Sequence, residues 1–336
     1  MTTTPPSFES SDSEMFRPNR QLNKRVELVV KIVFATFAFV SVATTIGIVL
    51  TLIFETIGFF QEVSVWKFLT DKAWTPLFAN PEFGIFVLIS ATFLTSVIAL
   101  MVALPLGLLA AICLSEYASP GIRRWLKPAL EILAGVPTVV FGYFALMVVS
   151  PRLRDCIDLI NWGIAFIGRV IPFIPESFAI PELKGFNALS AGIVLGIAII
   201  PMIASLSEDA IYAVPNSLRQ GAYALGATKR ETIIGVVIPA ALSGIVASFV
   251  LAVSRAVGET MIVSIAAGQN PTLGLNPLVP VMTMTAYIVQ VSLGDTPAGS
   301  LAYKTIFSVG MTLFLLTLAL NIFSFWFVRR FREKYD

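Results

Sequence analysis

The chain has 336 residues, of which 56% are hydrophobic and only 13% charged, and its mean hydropathy is +0.84. Such a composition is foreign to soluble domains and calls for lipid as part of the solvent. A net charge of +2 with no histidine gives no general pull on nucleic acid and removes the commonest general base and metal ligand. Cys113 and Cys156 lie in dissimilar segments and make no metal or disulfide framework, which argues against a redox or zinc enzyme and implies no cofactor.

The N-terminal stretch is rich in Thr, Ser, Pro and acidic residues, so 1–25 reads as a disordered cytoplasmic tail. Residues 26–82 hold a first transmembrane helix, near 32–54, and an outer loop. That apolar run is too long for a signal peptide, and no small-residue cleavage site follows it. The remainder, 83–330, is one transmembrane domain. Its uncharged stretches near 84–114, 132–150, 185–207, 240–267 and 305–328 are each long enough to cross about 30 Å of hydrocarbon as a helix. Residues 159–175 are apolar too, but Arg169, Pro172 and Pro175 interrupt them, so they are expected to be interfacial or re-entrant, within an outer insertion at 151–184.

Six spans with both termini cytoplasmic sort the basic residues well. Arg17, Arg20, Lys24, Arg25, Lys31, Arg123, Arg124, Lys127, Arg219, Lys229, Arg230, Arg329, Arg330, Arg332 and Lys334 then fall inside, and about half as many, such as Lys67, Arg152 and Lys184, fall outside. The expected class is therefore an all-α integral membrane protein of about six transmembrane helices.

Taken along the chain, Pro105, Pro137 and Pro201 sit within or beside spans and are hinge candidates, although helix packing explains proline and its neighbouring glycines equally well. The segment 208–239 then reads as a projecting cytoplasmic helix-turn-helix. Gly226 permits the tight joint, Lys229 and Arg230 follow it, and an apolar helix enters the membrane at Pro239. Its plainer reading is an amphipathic connector lying on the membrane.

Within the fifth span, Ser254, Arg255, Glu259 and Thr260 form a polar group. Four residues apart on a continuous helix, Arg255 and Glu259 would share one face. At that depth each charge costs at least about 2.5 kcal/mol, so it needs a partner or a water-filled path. A structural ion pair would meet the cost. A substrate pathway would use the guanidinium fork for an oxyanion, with Glu259 holding it and weakening its grip enough for release. The hydroxyls of Ser254 and Thr260 are further pathway candidates.

Segments 83–118, 131–146 and 208–239, together with the RAVGETM run at 255–261, resemble the permeases of the phosphate-specific ABC transporter. In the loop, Gln220, Gly221, Ala222, Gly226, Val236, Ile238 and Pro239 fall on the positions of the coupling motif of ABC importer permeases, with Gln220 replacing its opening glutamate and Gly221 its first alanine. The GETMIV continuation and the 151–184 insertion look more like the PstC-type subunit than the PstA-type.

The resemblance implies a type I ABC importer permease fold in a bacterial plasma (inner) membrane. It implies a PstA-type second permease, two PstB-type ATPase subunits and a PstS-type extracytoplasmic phosphate-binding protein as partners, with phosphate as substrate and Arg255 and Glu259 on its path. The chain has no nucleotide-binding P-loop, so ATP would be hydrolysed by the partner subunits rather than here. A permease for sulfate, molybdate or phosphonate, and a membrane scaffold that senses phosphate, stay open as alternatives.

Overall fold

The computed structural model describes residues 20–170 and 180–331, with side chains over 24–166 and 180–326. The expected tail over 1–19, the stretch 171–179 containing Pro172 and Pro175, and the end of the terminal basic cluster lie outside the described residues. Helix α1 (Arg20–Glu62) starts inside the expected tail and takes in its last residues. It is followed by α2 (Val65–Thr70), whose first turn Ser64 caps by accepting the Trp66 N–H at 3.3 Å. Then come α3 (Ile85–Ile112), continued by a π-helical turn to Tyr117, α4 (Pro120–Ala134), α5 (Thr138–Phe144) and, after a second π turn, α6 (Ser150–Val170). The rest comprises α7 (Ala188–Tyr212), α8 (Asn216–Ala224), α9 (Lys229–Thr232), α10 (Ile238–Val257), α11 (Met261–Ala266), α12 (Met284–Leu293) and α13 (Leu301–Phe331).

Chain compactness divides at Phe54 and Glu55. In the first unit, the described part of α1 presents Phe34, Phe37, Phe39 and Phe54 as exposed side chains, as a helix bathed in lipid would. The second unit holds the core, which is built around α3 and α7. Ala91, Ala99 and Ala103 of α3 meet Ala191, Leu195, Ala198 and Ile199 of α7, all buried. Between helices in lipid the hydrophobic drive is weak, so small residues that permit close backbone approach carry the packing. Gly196 marks the closest approach: a Cβ there would lie 2.6 Å from the Ala99 carbonyl oxygen and 2.9 Å from Val102 Cβ.

A second core is aromatic. Phe59, Phe68, Trp74 and Phe83 contact one another edge to face, and Trp74 stands against Tyr287 of α12 with ring centroids 5.1 Å apart.

Among the described residues five helices are long and apolar enough to cross a membrane, or six if the bent run from Pro120 to Phe166 holds one span, against the expected six or so. Three boundaries differ from the reading by composition. The third crossing does not begin at 132: α4 ends at Ala134 and the chain turns by 86° before Thr138. Pro137 causes this, since it has no N–H to donate and disfavours helical φ/ψ at Val136. Pro137 is thus the N-cap of α5 at a sharp corner, while Pro105 and Pro201 lie inside intact helices.

The described part of 159–175 is not a segment of its own either, because it continues α6 to Val170. That helix is anchored laterally. Asn161 exchanges two hydrogen bonds with the Ile180 backbone at 2.8 and 2.9 Å, and Ser150 donates to the Gly185 carbonyl at 2.6 Å.

The fifth run, finally, is longer at one end and broken at the other. It is helical from Lys229, ten residues before Pro239, and stops at Val257.

Replacing Gly196 with Val is expected to destabilise the α3–α7 contact by about 1–3 kcal/mol, the usual cost of overpacking. A lowered melting temperature of the purified protein in detergent checks this.

Candidate functional site: a broken helix and an anchored loop

Because α10 stops at Val257 and α11 starts at Met261, Arg255 and Glu259 are not on one helical face, and the two make no ion pair with each other, the plainer of the two readings of their four-residue spacing. Glu259 is instead buried, with 8% of its surface exposed. Its Oε1 accepts the backbone N–H groups of Met261 at 3.2 Å and Ile262 at 3.4 Å, which takes the place of the helical bonds the break removed. Its carbonyl accepts the Thr285 hydroxyl at 2.6 Å, pinning the break to α12.

Thr260 donates to the Gly258 carbonyl at 3.3 Å, and Ser254 donates to Asn321 Oδ1 of α13 at 2.9 Å. Both hydroxyls therefore have local partners. Close packing from α5 backs the short helix, since a Cβ on Gly142 would sit 3.0 Å from Ile265 and 3.3 Å from the Met261 carbonyl.

Arg255 occupies the last turn of α10, where its positive charge suits the negative helix end, as the Glu259 charge suits the positive start of α11. The side chain is exposed, and among the described residues it makes no ion pair or hydrogen bond. An unpartnered guanidinium on a membrane helix requires water, a partner subunit or an anion, and its planar fork matches an oxyanion bidentately.

The 208–239 loop is the second functional element. Gly226, at φ +84°, ends α8, with its own N–H donating to Tyr223 O at 2.9 Å and that of Ala227 to Ala222 O at 3.1 Å. Thr228 and Glu231 form a capping box that starts α9, from which the helix runs without interruption into α10. Of the residues singled out by sequence, Gln220, Gly221, Gly226, Lys229, Arg230 and Pro239 are exposed and Ala222 is buried. Leu225 projects at the turn, 91% exposed. Lys229 lies over the Tyr117 ring at 4.7 Å.

What the sequence reading missed is how this loop is held. Arg219 of α8 pairs with Glu116 at the end of α3 at 2.8 Å, and also donates to the Ile211 and Val214 carbonyls. Glu208, fully buried near the end of α7, accepts from Arg123 and Lys127 of α4, the latter at 2.7 Å, and Lys127 also reaches Asp209 at 2.6 Å. The hydrogen bond to Asp209, then that to Glu208, raises the Lys127 ammonium pKa above its ordinary value. The i,i+4 spacing of Arg123 and Lys127 was the available signal, but their acidic partners lie 81 to 85 residues away, beyond any local pattern.

Residues 103–335 match the family described as binding-protein-dependent transport system inner membrane component. The probable ABC transporter permease protein YqgH of Bacillus subtilis is 31% identical over 303 residues, covering 90% of this chain and 89% of that protein. The phosphate transport system permease protein PstC of Mesorhizobium japonicum is 33% identical over 262 residues, covering 77% and 78%.

Among solved structures, a bacterial alginate ABC transporter in complex with its alginate pentasaccharide-bound periplasmic protein superposes with a TM-score of 0.59 at 16% identity, over 93% of this chain and 98% of that one. The chain belongs to the binding-protein-dependent transport system inner membrane component family and is a multi-pass permease subunit of an ABC importer.

Replacing Arg219 with Ala would leave Glu116 buried without its cation, a loss of about 3–5 kcal/mol for a buried pair. Faster amide hydrogen exchange across 208–226, with the aromatic core unchanged, is the expected signature.

Proposed function

We propose that the chain is the PstC-type permease of a phosphate importer, with Arg255 on the phosphate path. The observation that carries this reading is the exposed guanidinium of Arg255, without a protein partner among the described residues, at the break of a membrane helix. Relatives named as phosphate permeases, such as those of Mesorhizobium japonicum and Haemophilus influenzae, support phosphate as the anion.

In this reading both termini and the 208–239 loop are cytoplasmic. A PstA-type permease completes the pathway over the exposed face of α10, two PstB-type ATPase subunits dock on the loops, and a PstS-type protein delivers phosphate from outside. Lys229 to Arg255 is one helical run of about 39 Å at 1.5 Å per residue, so a displacement imposed at the loop reaches the anion site directly. ATP binding must favour one orientation of that run over the other, since an effector without differential affinity shifts nothing.

Arg255 would replace part of the water shell of the phosphate with its two parallel N–H donors. The carboxylate of Glu259, already engaged by backbone N–H groups, keeps the break in shape and sets a negative charge near the path that helps the anion leave. Ser254 and Thr260, with their own partners, would contribute polarity rather than direct grip.

Replacing Arg255 with Gln removes a charge-assisted contact of about 1.5–3 kcal/mol, so phosphate uptake in cells should fall about 10- to 150-fold while the complex still assembles. Unchanged uptake would refute the pathway role, and loss of labelled sulfate or molybdate uptake in place of phosphate would reassign the substrate. At Gly226, Val forces a β-branched residue into a left-handed conformation that costs about 1–2 kcal/mol. Weaker ATPase subunit recovery in pull-down is expected, with uptake lowered in proportion.

A further inference from the structure

We propose that α4 lies in the membrane plane and binds the bilayer surface on the side of the 208–239 loop, holding the end of α7 at that depth through Glu208. The inference needs only membrane residence and does not rest on phosphate as the substrate. Helix α4 meets the following helical run at 86°, so if α5–α6 crosses the bilayer, α4 runs parallel to its surface.

The placement of residues around α4 fits that position. At 100° per residue, Ile122, Trp125, Leu126, Ala129, Ile132 and Leu133 share one side, and Arg123, Arg124, Lys127 and Glu131 share the other. On a helix at a protein–water surface the apolar side packs inward. Here the arrangement is reversed: Arg123 and Lys127 face the protein, where they meet Glu208 and Asp209, and Arg123 lies 4.0 Å from the Tyr212 ring centroid. The apolar side is bare, with Ile122 at 53%, Trp125 at 80% and Ile132 at 74% exposure.

A 15-residue helix with an apolar side of this kind, an indole for the headgroup level and basic groups opposite has the make-up of an interfacial helix. Arg124, exposed and without a hydrogen bond or ion pair among the described residues, is placed to reach headgroup phosphate oxygens. A cavity of about 610 Å³ opens beside it, lined by Ser115, Lys127, Glu131 and Tyr212 among others, with room for a headgroup. The occupant is therefore the headgroup–acyl boundary of a phospholipid leaflet. Through the buried Glu208, which both Arg123 and Lys127 contact, the depth of α4 fixes the end of α7 just before α8 begins.

The test uses the assembled transporter in vesicles of phosphatidylcholine and phosphatidylglycerol with bromine atoms on the upper part of the acyl chains. Trp125 is one of five tryptophans in the chain, so its share is read as the difference between wild type and Trp125→Phe. Bromine should quench the wild-type emission by a larger fraction than that of the variant, and Ile132→Trp in the Trp125→Phe background should restore the lost quenching. A difference spectrum that bromine leaves untouched, with no restoration by Ile132→Trp, would overturn the proposal and mean that another protein subunit covers this side of α4.

Discussion

In hydrocarbon every backbone N–H and C=O must find its partner within the protein, so a spanning helix can be broken only where side chains repair the loss. That constraint governs the region around Gly258. Glu259 takes up the N–H groups of Met261 and Ile262, and Thr285 bonds back to the Glu259 carbonyl, so the break is closed from both α11 and α12. With the carboxylate committed to backbone, Arg255 has no ion-pair or hydrogen-bond partner among the described residues. The break therefore separates two charges that a continuous helix would have made neutralise each other.

Charge is managed differently at the loop end of the bundle. There Glu208 and Glu116 are almost fully buried, each is matched by arginine or lysine from a different helix, and α4, α7, α8 and the end of α3 are joined as a result. Pairs of this kind add less net stability than their proximity implies, because desolvation offsets much of the attraction. Their contribution is to fix which turn of one helix faces which turn of the next.

Sequence reading went furthest where local physics decides. Run length alone pointed to about six spans, against five or up to six among the described residues, and the turn after α8 followed from Gly226. The corner at Gly135 to Pro137 was half legible: Pro137 was visible as a perturbation, but the apolar run 132–150 hid that α4 belongs to a different direction. The break at Gly258 was not legible, because RAVGETMIV is as apolar as a continuous helix around its two charges, and only the geometry of Glu259 and Thr285 tells them apart. Ion pairs such as Arg219 with Glu116 were out of reach for another reason, since 103 residues separate the partners and folding alone brings them together.

The aromatic cluster and the ion-pair end differ in one further respect. Edge-to-face rings at Phe59, Phe68, Trp74, Phe83 and Tyr287 hold by shape and contact area, which dissolved salt barely changes. Lys127 and Arg123 are partly open to water, so ions in solution weaken their hold on Glu208 and Asp209. One end of the second unit is thus held by contact area that ionic strength barely touches, and the other by ion pairs that it weakens.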